Sequence, residues 1–144
     1  MSKLTDNEWL STKSRKVYVA SSWRNEHFDR VVKELRDQGH EVYDFKDTPD
    51  SFRWTDCSPT GAATIETYIE AMKTEIALAG FKGDKDALDW CDTCVLVLPC
   101  GRSAHIEAGY VAGQGKHVIF WLHPDRFEPE LMYLLGNDFY VEES

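Results

Sequence analysis

The chain has 144 residues, with 16 lysines and arginines against 25 acidic residues and a net charge of -9. That length suits one domain able to bury a core without disulfides or a structural metal. The negative balance opposes non-specific attraction to a nucleic-acid polymer or an anionic membrane, so a small-molecule partner is expected. Four cysteines, at 57, 91, 94 and 100, lack the density of a secreted scaffold, and the N-terminus lacks the apolar core of a signal peptide. No apolar run approaches the ~20 residues needed to span a bilayer. A reduced, cytoplasmic protein follows.

In chain order, residues 1–14 are polar without a sustained period and read as a flexible or loosely docked leader, leaving residues 15–144 as one domain. Residues 16–20 (Lys-Val-Tyr-Val-Ala) read as the first strand. After Ser21, Ser22, Trp23, Arg24 and Asn25, the spacing of Phe28, Val31, Val32 and Leu35 predicts a helix that Gly39 stops. Residues 41–45 alternate as a second strand. Residues 46–63 break the rhythm with Pro49, Pro59 and Gly61, yet carry Phe52 and Trp54. Aromatics in a long loop point either to a lid in which Trp54 stacks on a base or to rings that tack the loop to the body.

Residues 64–79 read as a helix with an apolar stripe of Ile65, Tyr68, Ile69, Met72, Ile76 and Ala79, ended by Gly80. Residues 84–91 read as a short acidic helix. Then comes strand, turn, helix, turn, strand: the apolar run 93–99, Cys100-Gly101-Arg102-Ser103, the small-residue helix 104–115, and the apolar run 117–121. A short helix over 130–135 and an edge strand over 138–141 complete the chain. No repeat or linker interrupts it. About five strands alternating with helices predict a single doubly wound α/β domain, flavodoxin-like or Rossmann-like, with mostly parallel strands.

In such sheets ligands bind beyond the carboxyl ends of the strands, where strand order reverses. The candidate residues are therefore Ser21, Ser22, Arg24 and Asn25 after the first strand, the long loop with Trp54, and the segment 99–107. Gly101, Arg102 and Ser103 precede a helix whose first turn favours an anion, and Arg24 could converge there, suggesting a phosphate or carboxylate. The competing reading has Ser103 capping the helix beside solvated arginines. Glu107 lies four residues after Ser103 on the same face. A capping box would place its acid at Ile106, so Glu107 is not a reciprocal cap. Small apolar neighbours predict a partly desolvated carboxylate with a shifted pKa.

Other motifs fail on context. Gly113-Gln-Gly-Lys116 follows a helix and lacks the hydroxyl residue of a P-loop, and no G-x-G-x-x-G follows the first strand. Cys91-x-x-Cys94 has no second pair, so neither metal nor cofactor is expected. Ser103 and His105 are two apart on a helix and do not face each other.

The block 106–119, Ile-Glu-Ala-Gly-Tyr-Val-Ala-Gly-Gln-Gly-Lys-His-Val-Ile, resembles the signature of the nucleoside 2-deoxyribosyltransferase superfamily, which includes 2'-deoxynucleoside 5'-monophosphate N-glycosidases. Residues 17–22 and 84–92 are also similar, so the resemblance spans roughly residues 16–122. It implies cleavage or transfer at the N-glycosidic bond of a 2'-deoxynucleoside or its 5'-monophosphate, with Glu107 attacking C1' to form a covalent glycosyl intermediate. It implies that Tyr18 contacts the nucleophile. Asp84 or Asp86 would hold sugar hydroxyls or assist the leaving base, with Asp89 and Asp92 matching less well. It further implies a homodimer or larger homo-oligomer. Transferases of this superfamily often carry a second acid shortly before the glutamate, whereas residues 99–106 contain none. Arg102, Ser103 and Arg24 lean instead toward a 5'-phosphate. A noncatalytic nucleotide-sensing module, or a glycosidase acting on NAD or another ribonucleotide, are the alternative readings.

Overall fold

The computed structural model describes residues 4–49 and 51–142. Five strands, β1 (Lys16–Ala20), β2 (Glu41–Tyr43), β3 (Thr93–Val97), β4 (His117–Leu122) and β5 (Asp138–Val141), form one sheet in the order β2-β1-β3-β4-β5. Every pairing is parallel. This is the flavodoxin-like order, and it reverses between β1 and β3. All five residues of β3 are buried, as expected of a strand covered on both faces.

The chain groups into two compact units, one formed by Phe45–Ala87 and the other by the rest. Helix α4 (Glu75–Trp90) runs across the border that follows Ala87. In the sheet unit, helix α2 (Phe28–Asp37) buries Phe28, Val31, Val32 and Leu35. At about 1.5–3 kcal/mol for each fully buried apolar side chain, this stripe dominates the docking of α2. Gly39, at a φ of +98°, ends it. Helix α5 (Arg102–Gly113) packs on β3, β4 and β1 through buried Ala104, Ala108 and Val111. Right-handed crossovers from β1 to β2 and from β3 to β4 place α2 and α5 on opposite faces.

The expected flexible leader is corrected over residues 4–14. Asn7 caps helix α1 (Glu8–Thr12) by accepting from the Leu10 amide, and Leu4 and Leu10 are buried. Trp9 explains the docking. Its ring lies flat on His117, 4.1 Å between centroids, and the Arg15 guanidinium sits 3.5 Å from its other face. The Trp9 indole donates to Thr93 Oγ1 at 2.8 Å, and His117 pairs with Asp138 at 2.6 Å. Cation–π and stacking contacts thus tie the segment to the amino end of the sheet. Residues 1–3 of that expectation lie outside the described residues.

In the Phe45–Ala87 unit, the helix expected over 64–79 is two. Helix α3 (Ile65–Met72) is capped by Thr64 and ends before Lys73, and α4 begins at Glu75. Thr74 restarts the helix by accepting from the Ala77 amide. α4 then continues through Gly80 and Gly83, absorbing the separate acidic helix expected over 84–91. Ile65, Ile69, Met72 and Ile76 are exposed, not a core stripe. The loop expected over 46–63 contains a short 3-10 turn, Trp54–Asp56. Among the described residues no helix is long and apolar enough to cross a membrane.

Two outcomes check the packing of the sheet unit. Leu10→Ala is expected to lower stability by about 2–4 kcal/mol in urea unfolding, as for a filled core site; a flexible leader would give no change. His40 is buried, and its pKa is lowered by burial and then by the Arg15 charge. Folding therefore favours neutral His40, a contribution complete above the unfolded value near 6.5 and lost as pH falls through the lower folded value. His40 Nδ1 accepts from the Arg15 amide, a role an asparagine oxygen can take. The His40→Asn variant should therefore lose less stability than the parent between pH 7 and pH 5, read by denaturation midpoints.

Candidate active site

Tyr18 is the central residue of β1, and its side chain is fully buried on the face that α5 covers. Its hydroxyl donates to Glu107 Oε2. Glu107 lies in the second turn of α5 and is part-buried. The charge of this carboxylate reaches two thiols. Burial first, then Glu107, pushes Cys100 up to about 12, and burial first, with Glu107 among the lesser causes, raises Cys94 well above the usual thiol range.

The turn that leads into α5 is bound to the end of β1. Ser21 Oγ donates to the Val97 carbonyl at 2.8 Å, and Asn25 Nδ2 donates to the Pro99 carbonyl at 3.0 Å. Ser22 Oγ accepts from the Gly101 amide at 2.9 Å. Gly101 is the residue before the helix, with no side-chain cap at this terminus. Ser103 therefore does not cap α5 but lies inside its first turn, and Arg102 and Ser103 are exposed. Arg24 lines a cavity of about 340 Å³ together with Ser22, Asn25, Pro99, Cys100 and Arg126.

Trp54, Asp84 and Asp86 belong to the Phe45–Ala87 unit. The Trp54 ring packs edge-on to Phe52 at 5.0 Å and against Tyr68 at 5.5 Å, and it remains partly exposed. Asp86 accepts from Lys82 at 2.5 Å. The less favoured acids have evident structural duties. Asp92 accepts from the Lys16 amide and Thr93 Oγ1 at the amino end of the sheet, and Asp89 accepts from Tyr110 and Gln114. Lys116, the lysine of the P-loop-like fragment, donates to the Leu88 and Asp89 carbonyls that end α4.

Sequence reading missed Tyr133 and Arg126, and weighed His105 only as a partner of Ser103. His105 Nδ1 lies 2.8 Å from the Gly101 carbonyl, which can only accept, so that nitrogen carries the proton. Nε2 then accepts from the Tyr133 hydroxyl at 2.7 Å. Burial is the main cause that pushes Tyr133 up to about 12, which keeps the phenol protonated. With Nδ1 committed to a carbonyl, His105 is not a base for Cys100, whose sulfur lies 3.7 Å away. A Cys-His nucleophile is thereby excluded. The only sequence signal was the i, i+4 spacing of Gly101 and His105; Tyr133 and Arg126 are brought in by the chain beyond β4.

Fold and site together define an α/β domain of flavodoxin-like strand order, with a carboxylate on α5 that a strand phenol holds at the β1/β3 reversal. No protein-family model matches the sequence, and no curated protein does. Among solved structures the fold is shared with a 2-deoxyribosyltransferase from the psychrotolerant bacterium Bacillus psychrosaccharolyticus, at TM-score 0.55 and 20% identity over 88% of this chain and 85% of that one. It is also shared with the CMP N-glycosidase of Clostridium botulinum, at TM-score 0.51 and 20% identity over 88% of each chain.

The thiolate is the reactive form of cysteine, so iodoacetamide at pH 8 should alkylate Cys100 at least roughly a hundredfold more slowly than a free peptide cysteine. Time-resolved peptide mass mapping reads this rate.

Proposed function

We propose that this protein cleaves or transfers at the N-glycosidic bond of 2'-deoxynucleosides or their 5'-monophosphates, with Glu107 as the nucleophile. The observation that carries the reading is the Tyr18–Glu107 hydrogen bond at the strand-order reversal. It is supported by a fold shared with a deoxyribosyltransferase and an N-glycosidase.

The chemistry follows from a carboxylate held in one orientation. As the bond from C1' to the base lengthens, positive charge builds on the sugar, and an ionised carboxylate below C1' stabilises it. Glu107 then bonds to C1' while the base leaves with the electron pair of the broken bond and takes up a proton. Attack by water, or by a second base, on C1' breaks the ester and restores the carboxylate. Tyr18 orients Glu107 and favours its ionised form by donating to it. Asp84 or Asp86 is assigned to the sugar hydroxyls or the leaving base, and Trp54 to stacking, on the strength of the resemblance.

Gly101, Arg102 and Ser103 are assigned to substrate contacts at the start of α5, and Ser21 and Asn25 to holding the neighbouring loops. A homodimer accords with the exposed Ile65, Ile69, Met72 and Ile76 of α3 and α4. The four free thiols accord with a reduced cytoplasmic setting.

The test is chromatography after incubation with the four deoxynucleosides and their monophosphates, with and without a free acceptor base. Base release is expected. Glu107→Gln should reduce it by at least about a thousandfold, the scale for loss of a nucleophile. Tyr18→Phe should lower kcat by about ten- to a hundredfold, as for one charged hydrogen bond. Release by Glu107→Gln at the parental rate would refute the assignment, and binding without release would mark a noncatalytic nucleotide module.

A further inference from the structure

Parallel pairing sets Tyr43 of β2 directly opposite Tyr18 of β1. Side chains opposite one another in such a pair leave the sheet on the same face. The two phenol rings accordingly stack, with 5.2 Å between centroids and 22° between planes. β2 is an edge strand of the sheet, beyond β1, and α5 packs chiefly on β3, β4 and β1. Tyr43 therefore stands at the flank of the helix, on the face that carries Tyr18. It is the outer ring of the two: Tyr43 is half-buried, whereas Tyr18 is 0% exposed.

The burial of Tyr18 matters to the carboxylate for two reasons. A hydrogen bond to a charged acceptor is stronger where water is excluded, because water offers both partners competing bonds. A phenol packed against a second ring also loses freedom to turn, so its hydroxyl keeps one direction. That direction is toward Glu107 Oε2. Stripping the outer ring would open the inner one to solvent on the edge-strand side and loosen its aim together.

We propose that Tyr43 is a positioning residue for the reaction: its ring shields the Tyr18–Glu107 hydrogen bond from water and holds the Tyr18 phenol on the carboxylate. The catalytic consequence rests on the proposed glycosidic-bond chemistry; the shielding of the hydrogen bond does not. The ring is the part that acts, so phenylalanine serves at this position and an aliphatic side chain does not.

Two measurements on the full chain test it. In the first, proton NMR follows the Tyr18 hydroxyl proton, assigned by its loss in Tyr18→Phe. Its exchange with water should be at least about tenfold faster in Tyr43→Val than in the parent, and near the parental rate in Tyr43→Phe. Valine keeps the strand preference of the position. Circular dichroism checks the fold, and Tyr43→Leu takes the place of Tyr43→Val should the latter not fold. In the second, a double-mutant cycle reads kcat for base release. Tyr43→Val alone should lower kcat by about tenfold with KM unchanged. Added to Tyr18→Phe it should cost nothing further, because the ring acts through Tyr18.

A hydroxyl line absent from the parent, or one that exchanges as slowly in Tyr43→Val, would overturn the shielding. An equal loss of kcat in both backgrounds, or a Tyr43→Phe variant as impaired as Tyr43→Val, would overturn the positioning role. No base released by the parent would defeat the proposed reaction, and the exchange rates would still decide the shielding.

Discussion

The parallel pairing of β1 with β3 is the constraint on which the carboxyl end of the sheet depends. Tyr18 lies opposite Cys94 and Ala20 opposite Leu96, so both strands end level with one another. Their following loops are then close enough for Ser21, Ser22 and Asn25 to bond with Val97, Gly101 and Pro99. Because side chains alternate along a strand, a one-residue slip of β1 would turn Tyr18 to the α2 face and away from Glu107. Register alone thus decides whether phenol and carboxylate meet.

Around that pair the protein supplies groups that stay neutral. Cys94 and Cys100 are thiols held protonated by burial and by the carboxylate itself. The Gly101 carbonyl fixes the His105 tautomer, and Tyr133, also held protonated, donates to its Nε2. Positive charge sits at Arg24 and Arg126, in the cavity lined by the loops after β1 and β4. Small residues at Ala104 and Ala108 let α5 lie close to the sheet, which brings a short-reaching glutamate over a strand side chain.

Much of this frame was legible in the sequence because strands and amphipathic helices have periods. β1 and β5 have the expected bounds, and β3, β4, α2 and α5 differ from expectation by a few residues at their ends. The failures have physical causes. Gly80 looked like a stop, yet a glycine costs only about 1 kcal/mol inside a helix, and α4 tolerates two. The leader looked polar, but Trp9 finds Thr93 and His117, more than seventy residues away. Arg126 was equally silent. An arginine in a turn is ordinary until β4 carries that turn beside the loop after β1, and no local pattern reports such a meeting. Glu107 stood out through resemblance, since its spacing alone also fits a surface glutamate.

The bond between Ser22 and the Gly101 amide separates two tasks that many sites leave entangled. The height of α5 over the sheet, and with it the carboxylate, is tied to contacts among β1, β3 and the turn that leads into α5. The loop after β4 supplies Arg126 to the cavity. Changes in that loop can therefore reshape the cavity while the reacting group keeps its place, so cavity shape and reactivity are free to evolve on different segments of the chain.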